Sequence, residues 1–203
     1  MLPTLLPMLA TAATPFDAPA YSFEIKWDGV RALAAVEAAG WRLWGRGRAD
    51  YTARYPELEV VRSLPPGTLV DGELVVFTKG RPDLAALLGR HHLVAPWKIS
   101  QARRWCPVRY VLFDLLYLGG RCLLHESLAR RRELLAEVCA GQSAPEILFS
   151  EGVVGQGQAL YRAALALGHE GVMAKHLASS YRPGRRTPTW RKIKPRRGRP
   201  RPE

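Results

Sequence analysis

Short runs of β-forming residues, each ended by a glycine turn, are the feature that most constrains the fold of this chain. The two longest runs, residues 69–77 and 108–118, are followed by Lys79-Gly80-Arg81 and Gly119-Gly120-Arg121. Further strands are predicted at residues 21–25, 30–36 and 41–44, the last two joined as a hairpin.

Helices are predicted at residues 56–64, 127–139 and 158–167, the last with Gly168 as its C-terminal cap. Because the strands and helices do not alternate as in a doubly wound sheet, the pattern predicts an α+β fold with largely antiparallel sheets. With 203 residues, 47% of them hydrophobic, the chain can bury one sizeable core.

The composition also limits the location of the protein. No run of about 18 apolar residues is present, so no membrane partner is expected. The apolar residues 1–10 contain two prolines and no basic region, and we expect them to pack on the domain. Cys106, Cys122 and Cys139 are widely spaced and odd in number, which fits neither a disulfide framework nor a zinc site. A reducing, cytoplasmic interior is therefore predicted.

The formal charge of +12 is concentrated near the C-terminus. Residues 183–203 hold nine Lys or Arg against one Glu, a net +8. Such a stretch predicts salt-dependent binding to a polyanion such as nucleic acid. The alternative is a solubilising surface with a basic end.

Four short motifs follow one another in an order that suggests nucleotidyl transfer. They are Glu24-Ile25-Lys26-Trp27-Asp28-Gly29-Val30-Arg31, Asp71-Gly72-Glu73, Glu170-Gly171-Val172-Met173-Ala174-Lys175 and Trp190-Arg191-Lys192-Ile193-Lys194. Lysine can attack the α-phosphate of a nucleoside triphosphate only when it is unprotonated. Convergence of Arg31, Lys192 and Lys194 on Lys26 would lower its pKa and neutralise phosphates. Taken alone, the position of Lys26 favours a surface strand residue in a salt bridge, and only the accompanying motifs reverse that interpretation.

Carboxylates and one aromatic ring complete the candidate site. Glu73 and Glu170 each lie beside glycine and are candidates to hold Mg²⁺ or Mn²⁺ with substrate oxygens. Each could instead be an acid at a solvated turn, as could Asp28 in its Asp-Gly pair. Phe113 is a candidate to stack on a purine, although a strand phenylalanine often belongs to the core.

These motifs, together with Tyr55-Pro56-Glu57-Leu58, Phe113-Asp114-Leu115-Leu116-Tyr117-Leu118 and Ser180-Tyr181-Arg182-Pro183-Gly184, resemble the adenylation domain of bacterial ATP-dependent DNA ligases, closest to the end-joining type. The resemblance covers about residues 7 to 195. It implies a nucleotidyltransferase fold of two packed, largely antiparallel sheets flanked by helices, with ATP in the cleft between them. We therefore divide the chain into an adenylation domain, 1–195, and a basic tail, 196–203.

The resemblance also assigns roles. Lys26 would become the AMP-lysine phosphoramidate, with Glu24 beside the adenine. Arg31 and Glu73 would surround the ribose and the metal. The remaining assignments are adenine stacking for Phe113, metal binding for Glu170, α-phosphate binding for Lys192 and Lys194, and motif membership for Asp28, Asp71 and Lys175.

Two departures from the family pattern stand out. Gly45-Arg46-Gly47-Arg48 replaces the usual Ser-Arg-Asn-Gly, and we expect the retained Arg46 to meet ribose or DNA phosphate. The chain also stops just after the last lysine motif, so we expect it to lack the C-terminal OB-fold domain that clamps DNA in complete ligases.

The predicted function is ATP-dependent sealing of nicked double-stranded DNA in repair, in the bacterial cytoplasm at the nucleoid. Ku, other end-joining proteins and a separate OB-fold protein are the candidate partners. The alternatives are a catalytically weak nick-binding module that needs an OB-fold partner, and a related RNA ligase or capping-type nucleotidyltransferase. In the tail, Arg197 and Arg199 lie in an Arg-Gly-Arg-Pro core that resembles an AT-hook, the alternative being a generic polybasic end.

Overall fold

The computed structural model describes residues 1–195, whose strands form two sheets. In chain order the strands are β1 (Leu9–Ala12), β2 (Ala18–Ile25), β3 (Val30–Glu37), β4 (Gly40–Gly45), β5 (Thr68–Thr78), β6 (Arg81–Pro82), β7 (Val108–Leu118), β8 (Arg121–Cys122), β9 (Ile147–Phe149), β10 (Gly152–Gly155), β11 (Val172–His176) and β12 (Arg186–Ile193). The α-helices are α1 (Leu84–His91), α2 (Pro96–Trp105), α3 (Leu128–Ala140) and α4 (Gly157–Ala166), and 3-10 helices span Thr52–Arg54 and Pro56–Ser63.

The smaller sheet has the order β1-β12-β11-β2-β10, and the larger has the order β4-β3-β5-β7-β8. In the larger sheet β6 also pairs with β5, and β9 with β7. Two pairings are parallel, β1 with β12 and β7 with β9, and the others in the described part of the chain are antiparallel. The predicted α+β class with two packed, largely antiparallel sheets is thus confirmed.

Alternation along β3 shows how the core is divided. Ala32 and Ala34 face a cluster on the outer side of the larger sheet, which also contains Leu135 of α3. Leu33 and Ala35 face the opposite way, into a cluster that includes Trp190 of β12. Because successive side chains of a strand point to opposite faces, β3 can bury both. The second cluster therefore fills the space between the two sheets.

The N-terminal segment is part of this inter-sheet core. Met8 is fully buried and Leu2 nearly so, and the backbone N–H of Met8 donates to the hydroxyl of Tyr181 at 2.9 Å. The expectation that residues 1–10 pack on the domain is confirmed. No helix within residues 1–195 is long and apolar enough to cross a membrane.

Helix ends follow local capping chemistry. Asp83 and Ser127 accept backbone N–H bonds from Ala86 and Arg130, and so cap α1 and α3. Gly168 has a φ of +82° and its N–H bonds the carbonyl of Leu165, which confirms the predicted cap after α4. The helix predicted at 56–64 is present as a 3-10 helix, and α1 and α2 were not predicted.

Candidate active site

An open cleft between the two sheets collects residues from Met8 to Lys194, almost the whole length of the described chain. From the smaller sheet and the residues that follow its strands come Glu24, Lys26, Lys175, Lys192 and Lys194. From the larger sheet and the turn after β4 come Arg31, Arg46, Glu73 and Phe113. The structure therefore brings together every residue that the sequence assigned to ATP binding.

Lys26 follows the last residue of β2 and is fixed by a backbone bond from its N–H to the carbonyl of Gly171 at 2.9 Å. Gly171 has a φ of +143°, and a Cβ added there would collide with the carbonyl oxygen of Ile193. Glycine is therefore required where the Glu-Gly motif passes β12. This close approach holds Lys26 beside Glu170, whose carboxylate forms an ion pair with the Lys26 ammonium.

Burial is the main cause that lowers the pKa of Lys26, and the charges of Arg31 and Arg46 lower it further, while Glu73 and Asp28 oppose them. The sequence predicts that the charges of Arg31, Lys192 and Lys194 lower the pKa of Lys26. In the structure, desolvation lowers the pKa of Lys26 more than any neighbouring cation does. Lys194 instead bonds Glu170, which it shares with Lys26.

Glu73 occupies the β5 wall of the cleft opposite Arg31 in the β3–β5 register. Burial raises the pKa of Glu73 to about 7, against the opposing charges of Arg31 and Lys26. Its carboxyl group therefore changes protonation near neutral pH, where a catalytic acid or base is most useful.

Asp71 lies beneath the cleft and orients Arg31. The Arg31 guanidinium donates through Nε and Nη2 to the two carboxylate oxygens of Asp71, each at 2.5 Å. The hydroxyl of Tyr181 donates to the same carboxylate at 2.6 Å. Burial opposes the charge on Arg31, but Asp71 raises its pKa further above the ordinary value. Asp71 is thus a buried positioning residue and does not line the cleft.

Phe113 lies at the floor of the cleft and is only 6% exposed. The Arg31 guanidinium is 4.4 Å and the Lys175 ammonium 4.2 Å from its ring centroid. Trp190 meets it edge-on at 6.3 Å. Stacking of adenine on Phe113 stays a prediction, and it requires that the two cations leave one face of the ring accessible.

A buried ionic cluster surrounds Glu24 at the wall of the cleft. Glu24 accepts from Lys175 at 2.8 Å and pairs with Arg132 at 2.9 Å. Burial lowers the pKa of Lys175, and Glu24 opposes that effect. Sequence reasoning missed Arg132, which lies on α3 and also donates to the carbonyl of Ser150 at 2.7 Å. Its only signal was the Arg130-Arg131-Arg132 run, which does not show which arginine faces the site.

The other assignments have different outcomes. Asp28 does not line the cleft, although its negative charge partly opposes the lowering of the Lys26 pKa. Arg48 stands where the family has glycine and adopts a φ of +64°, in the left-handed region that favours glycine. Arg197 and Arg199 lie outside the described residues. Sequence reasoning also missed Trp190 and Arg186 as lining residues.

Two carboxylates, Glu73 and Glu170, are placed around Lys26. Within residues 1–195 no group of three or more His, Cys, Asp or Glu could form a metal cage. Mg²⁺ does not need one, because it commonly uses one or two carboxylates with waters and substrate phosphates. The donor set therefore fits a metal that arrives with a nucleotide.

Comparison with known proteins agrees with this geometry. The chain is 35% identical over 195 residues to the multifunctional non-homologous end joining protein LigD of Mycobacterium bovis, covering 94% of this chain and 24% of the relative. It is 35% identical over 184 residues to a DNA ligase of Methanothrix thermoacetophila, covering 87% of this chain and 32% of the relative. The chain thus spans about a quarter to a third of these relatives.

Among solved structures, the ligase domain of LigD from M. tuberculosis matches with 34% identity and a TM-score of 0.79, over 94% of this chain and 59% of that one. A mycobacterial DNA ligase D complexed with ATP matches with 34% identity and a TM-score of 0.75, over 94% and 60%. The family model for the ATP dependent DNA ligase domain matches residues 1–194. This chain therefore belongs to the ATP-dependent DNA ligase domain family.

Proposed function

We propose that this chain is the catalytic core of an ATP-dependent DNA ligase, with Lys26 as the covalent nucleophile. The observation that carries the proposal is the setting of Lys26, a lysine of lowered pKa in the cleft that also holds Lys192 and Lys194. A nearby lysine cluster suits a triphosphate, and the related mycobacterial ligase D was solved with ATP.

In the first step the neutral Nζ of Lys26 attacks the α-phosphorus of ATP. A P–N bond forms, the bond from the α-phosphorus to the bridging oxygen breaks, and pyrophosphate leaves with the proton that Nζ loses. Glu170 holds the protonated form of Lys26, so its carboxylate must turn away before the amine can attack. Arg31, held by Asp71, is rigid enough to bind the ribose without reorganising.

In the second step the AMP passes from Lys26 to the 5′-phosphate of a DNA nick. In the third, the 3′-hydroxyl attacks that phosphate, forms the phosphodiester and releases AMP. Lys192 and Lys194 neutralise phosphate charge during these transfers. Glu73 and Glu170 are the residues that would hold Mg²⁺ or Mn²⁺, which supplies Lewis-acid stabilisation of phosphoryl oxygens when bound.

The substrate and partners extend this proposal. Nicked double-stranded DNA is the proposed substrate, and the similarity to LigD supports a role in end joining, with Ku or a separate OB-fold protein as partner. We place this activity in the bacterial cytoplasm, at the nucleoid. Arg197 and Arg199 of the basic tail are proposed to add DNA contacts.

Covalent labelling tests the proposal. Incubation of the protein with Mg²⁺ and α-labelled ATP is expected to leave label in an acid-labile, alkali-stable P–N bond, because Lys26 forms a phosphoramidate. Lys26→Ala should abolish the label. Lys98→Ala, which removes an exposed lysine outside the cleft, should retain it.

Label that persists in Lys26→Ala would show that another residue is the nucleophile. Wild-type protein that binds ATP without acquiring label would support a nick-binding module instead. Equal labelling from GTP would favour a capping-type nucleotidyltransferase.

A further inference from the structure

Two large aromatic side chains of α2 are exposed to solvent. Trp97 is 62% exposed and Trp105 is 87% exposed, next to Val94 at 78%. Tryptophan is usually well buried on average, because its large apolar ring is costly to hydrate. Two such rings on one short helix indicate a surface that is covered by something else.

The helix has one side toward the protein and one toward solvent. Ile99 is buried and marks the inner side of α2. Trp97 and Trp105 are eight residues apart, which separates them by about 12 Å along the axis. We call this outer side the tryptophan face, defined by Trp97, Lys98, Arg104 and Trp105.

The tryptophan face is strongly cationic. Residues 84–109 contain no Asp or Glu, whereas Lys98 and Arg104 are exposed. The Lys98 ammonium lies 5.4 Å from the Trp97 ring centroid, so charge and ring are presented together. Glu57 lies in the 3-10 helix Pro56–Ser63, which contacts α2, and its carboxylate is already paired with Arg90 at 2.7 Å.

The face also rests on a fixed support. Arg90 of α1 donates to the carbonyl of Cys106, just after α2, at 2.6 Å, and ties the two helices together. They connect the end of β5 to the start of β7, where Val76 pairs with Val108.

This connection places α1 and α2 at the same end of the larger sheet as Lys26. Phe77, the residue after Val76, meets Trp27 edge-on at 6.0 Å, and Trp27 directly follows Lys26. A strand bound on α2 therefore lies at the end of the domain where the cleft holds its nucleophile.

We propose that the tryptophan face binds unpaired nucleic-acid strand, with bases stacked on Trp97 and Trp105 and phosphates neutralised by Lys98 and Arg104. Indole rings stack on any base, and the accompanying cations follow the backbone. At the 3.4 Å spacing of a stacked strand, the axial separation of about 12 Å between Trp97 and Trp105 corresponds to about three to four nucleotides. The charge decides the occupant, since an apolar protein partner would leave the exposed cations Lys98 and Arg104 without phosphates to neutralise.

The proposal concerns a surface outside the cleft and does not depend on the chemistry of Lys26. Binding of a fluorescent oligo(dT) strand to the full chain, measured by anisotropy, tests it beside a blunt duplex of equal length. Trp97→Ala/Trp105→Ala should weaken oligo(dT) binding about tenfold or more, because each base–aromatic stack contributes substantially. Duplex affinity should change little, because paired bases cannot stack on the indoles.

Lys98→Ala/Arg104→Ala should reduce the salt slope for oligo(dT) by about 1.4, as expected when two phosphate contacts are lost from a single strand. Leu167→Ala and Arg162→Ala remove one exposed apolar and one exposed basic residue elsewhere, and should leave binding unchanged. Label transfer from ATP to Lys26 should be normal in the double tryptophan variant, which reports that it is folded.

Unchanged oligo(dT) affinity in the double tryptophan variant would overturn the proposal. An equal loss for the blunt duplex would also overturn it, because the tryptophans would then not be acting by stacking on unpaired bases. Binding of an acidic polyglutamate peptide that depends on both tryptophans, with oligo(dT) unaffected, would assign the face to a protein partner.

Discussion

Arg131→Met should be among the more damaging single substitutions outside the cleft. Arg131 and Asp114 are both fully buried, and the guanidinium donates to the carboxylate oxygens at 2.7 and 2.9 Å. It also donates to the carbonyls of Glu126 at 2.7 Å and Ser179 at 3.0 Å. Met fills much of the same volume but leaves the Asp114 charge without its partner.

Breaking a buried ion pair by removing one member costs about 3–5 kcal/mol. For a domain of this size, 1 kcal/mol lowers the unfolding midpoint by about 2–4 °C, so we expect a fall of roughly 6–20 °C. Asp114 follows Phe113 in β7, and the loss should therefore also reduce covalent labelling by ATP at temperatures near the new midpoint.

Thermal unfolding followed by circular dichroism measures the effect. Arg130→Met is the matched control, because Arg130 is the preceding residue and pairs with Glu133 on the exposed surface, so its midpoint should stay near that of wild type. Arg131→Met/Asp114→Leu removes both charges and should recover part of the loss. A single variant as stable as wild type, or a double variant no more stable than the single, would refute the reasoning.

Two further predictions concern the cleft. Since burial raises the pKa of Glu73 from 4.5 to about 7, the folded state binds a proton that the unfolded chain releases, and this contribution to stability is lost as the pH rises across that range. Urea unfolding of Glu73→Gln at about pH 5 and about pH 8 should show a smaller fall in unfolding free energy than wild type, and an identical fall would contradict the assignment. Gly171→Ala should lower the unfolding midpoint and slow covalent labelling, because its Cβ meets the Ile193 carbonyl and its own carbonyl positions Lys26; Gly47→Ala, with open space around it, should change neither.

Strand positions were predictable where the pattern is local. The predicted strands at 21–25, 30–36 and 69–77 lie within β2, β3 and β5. β12 was not predicted as a strand, since Pro188 interrupts it and proline cannot donate to a ladder. In the structure Pro188 lies where the β1–β12 register shifts, between the pairs Ala10↔Thr187 and Thr11↔Arg191. Because the ladder is irregular at this point, Pro188 can lie in β12 without a backbone N–H to donate. The irregularity arises from the pairing of β12 with β1 and so was not visible in the local sequence.

α1 and α2 were missed for a related reason. The sequence of α2 places Trp97 and Trp105 among basic residues, without a clear apolar stripe. A helix predicted from hydrophobic periodicity needs such a stripe toward the core. Ile99 is the one residue of α2 that is buried, so the sequence of this helix carries only a weak hydrophobic periodicity. The same lack of burial leaves Trp97 and Trp105 exposed.

The sequence by itself determined the family and the main residues of the cleft, because covalent nucleotidyl transfer needs a lysine, cations and carboxylates in motifs with recognisable neighbours. The tertiary structure decided the burial and the ion-pair partners of individual side chains. In the run Arg130-Arg131-Arg132, the first arginine is exposed, the second is buried against Asp114, and the third pairs with Glu24 beside the cleft. Each residue of a helix is rotated by about 100° from the last, so three identical side chains meet three environments. Only the packing of α3 on β7 fixes which is which.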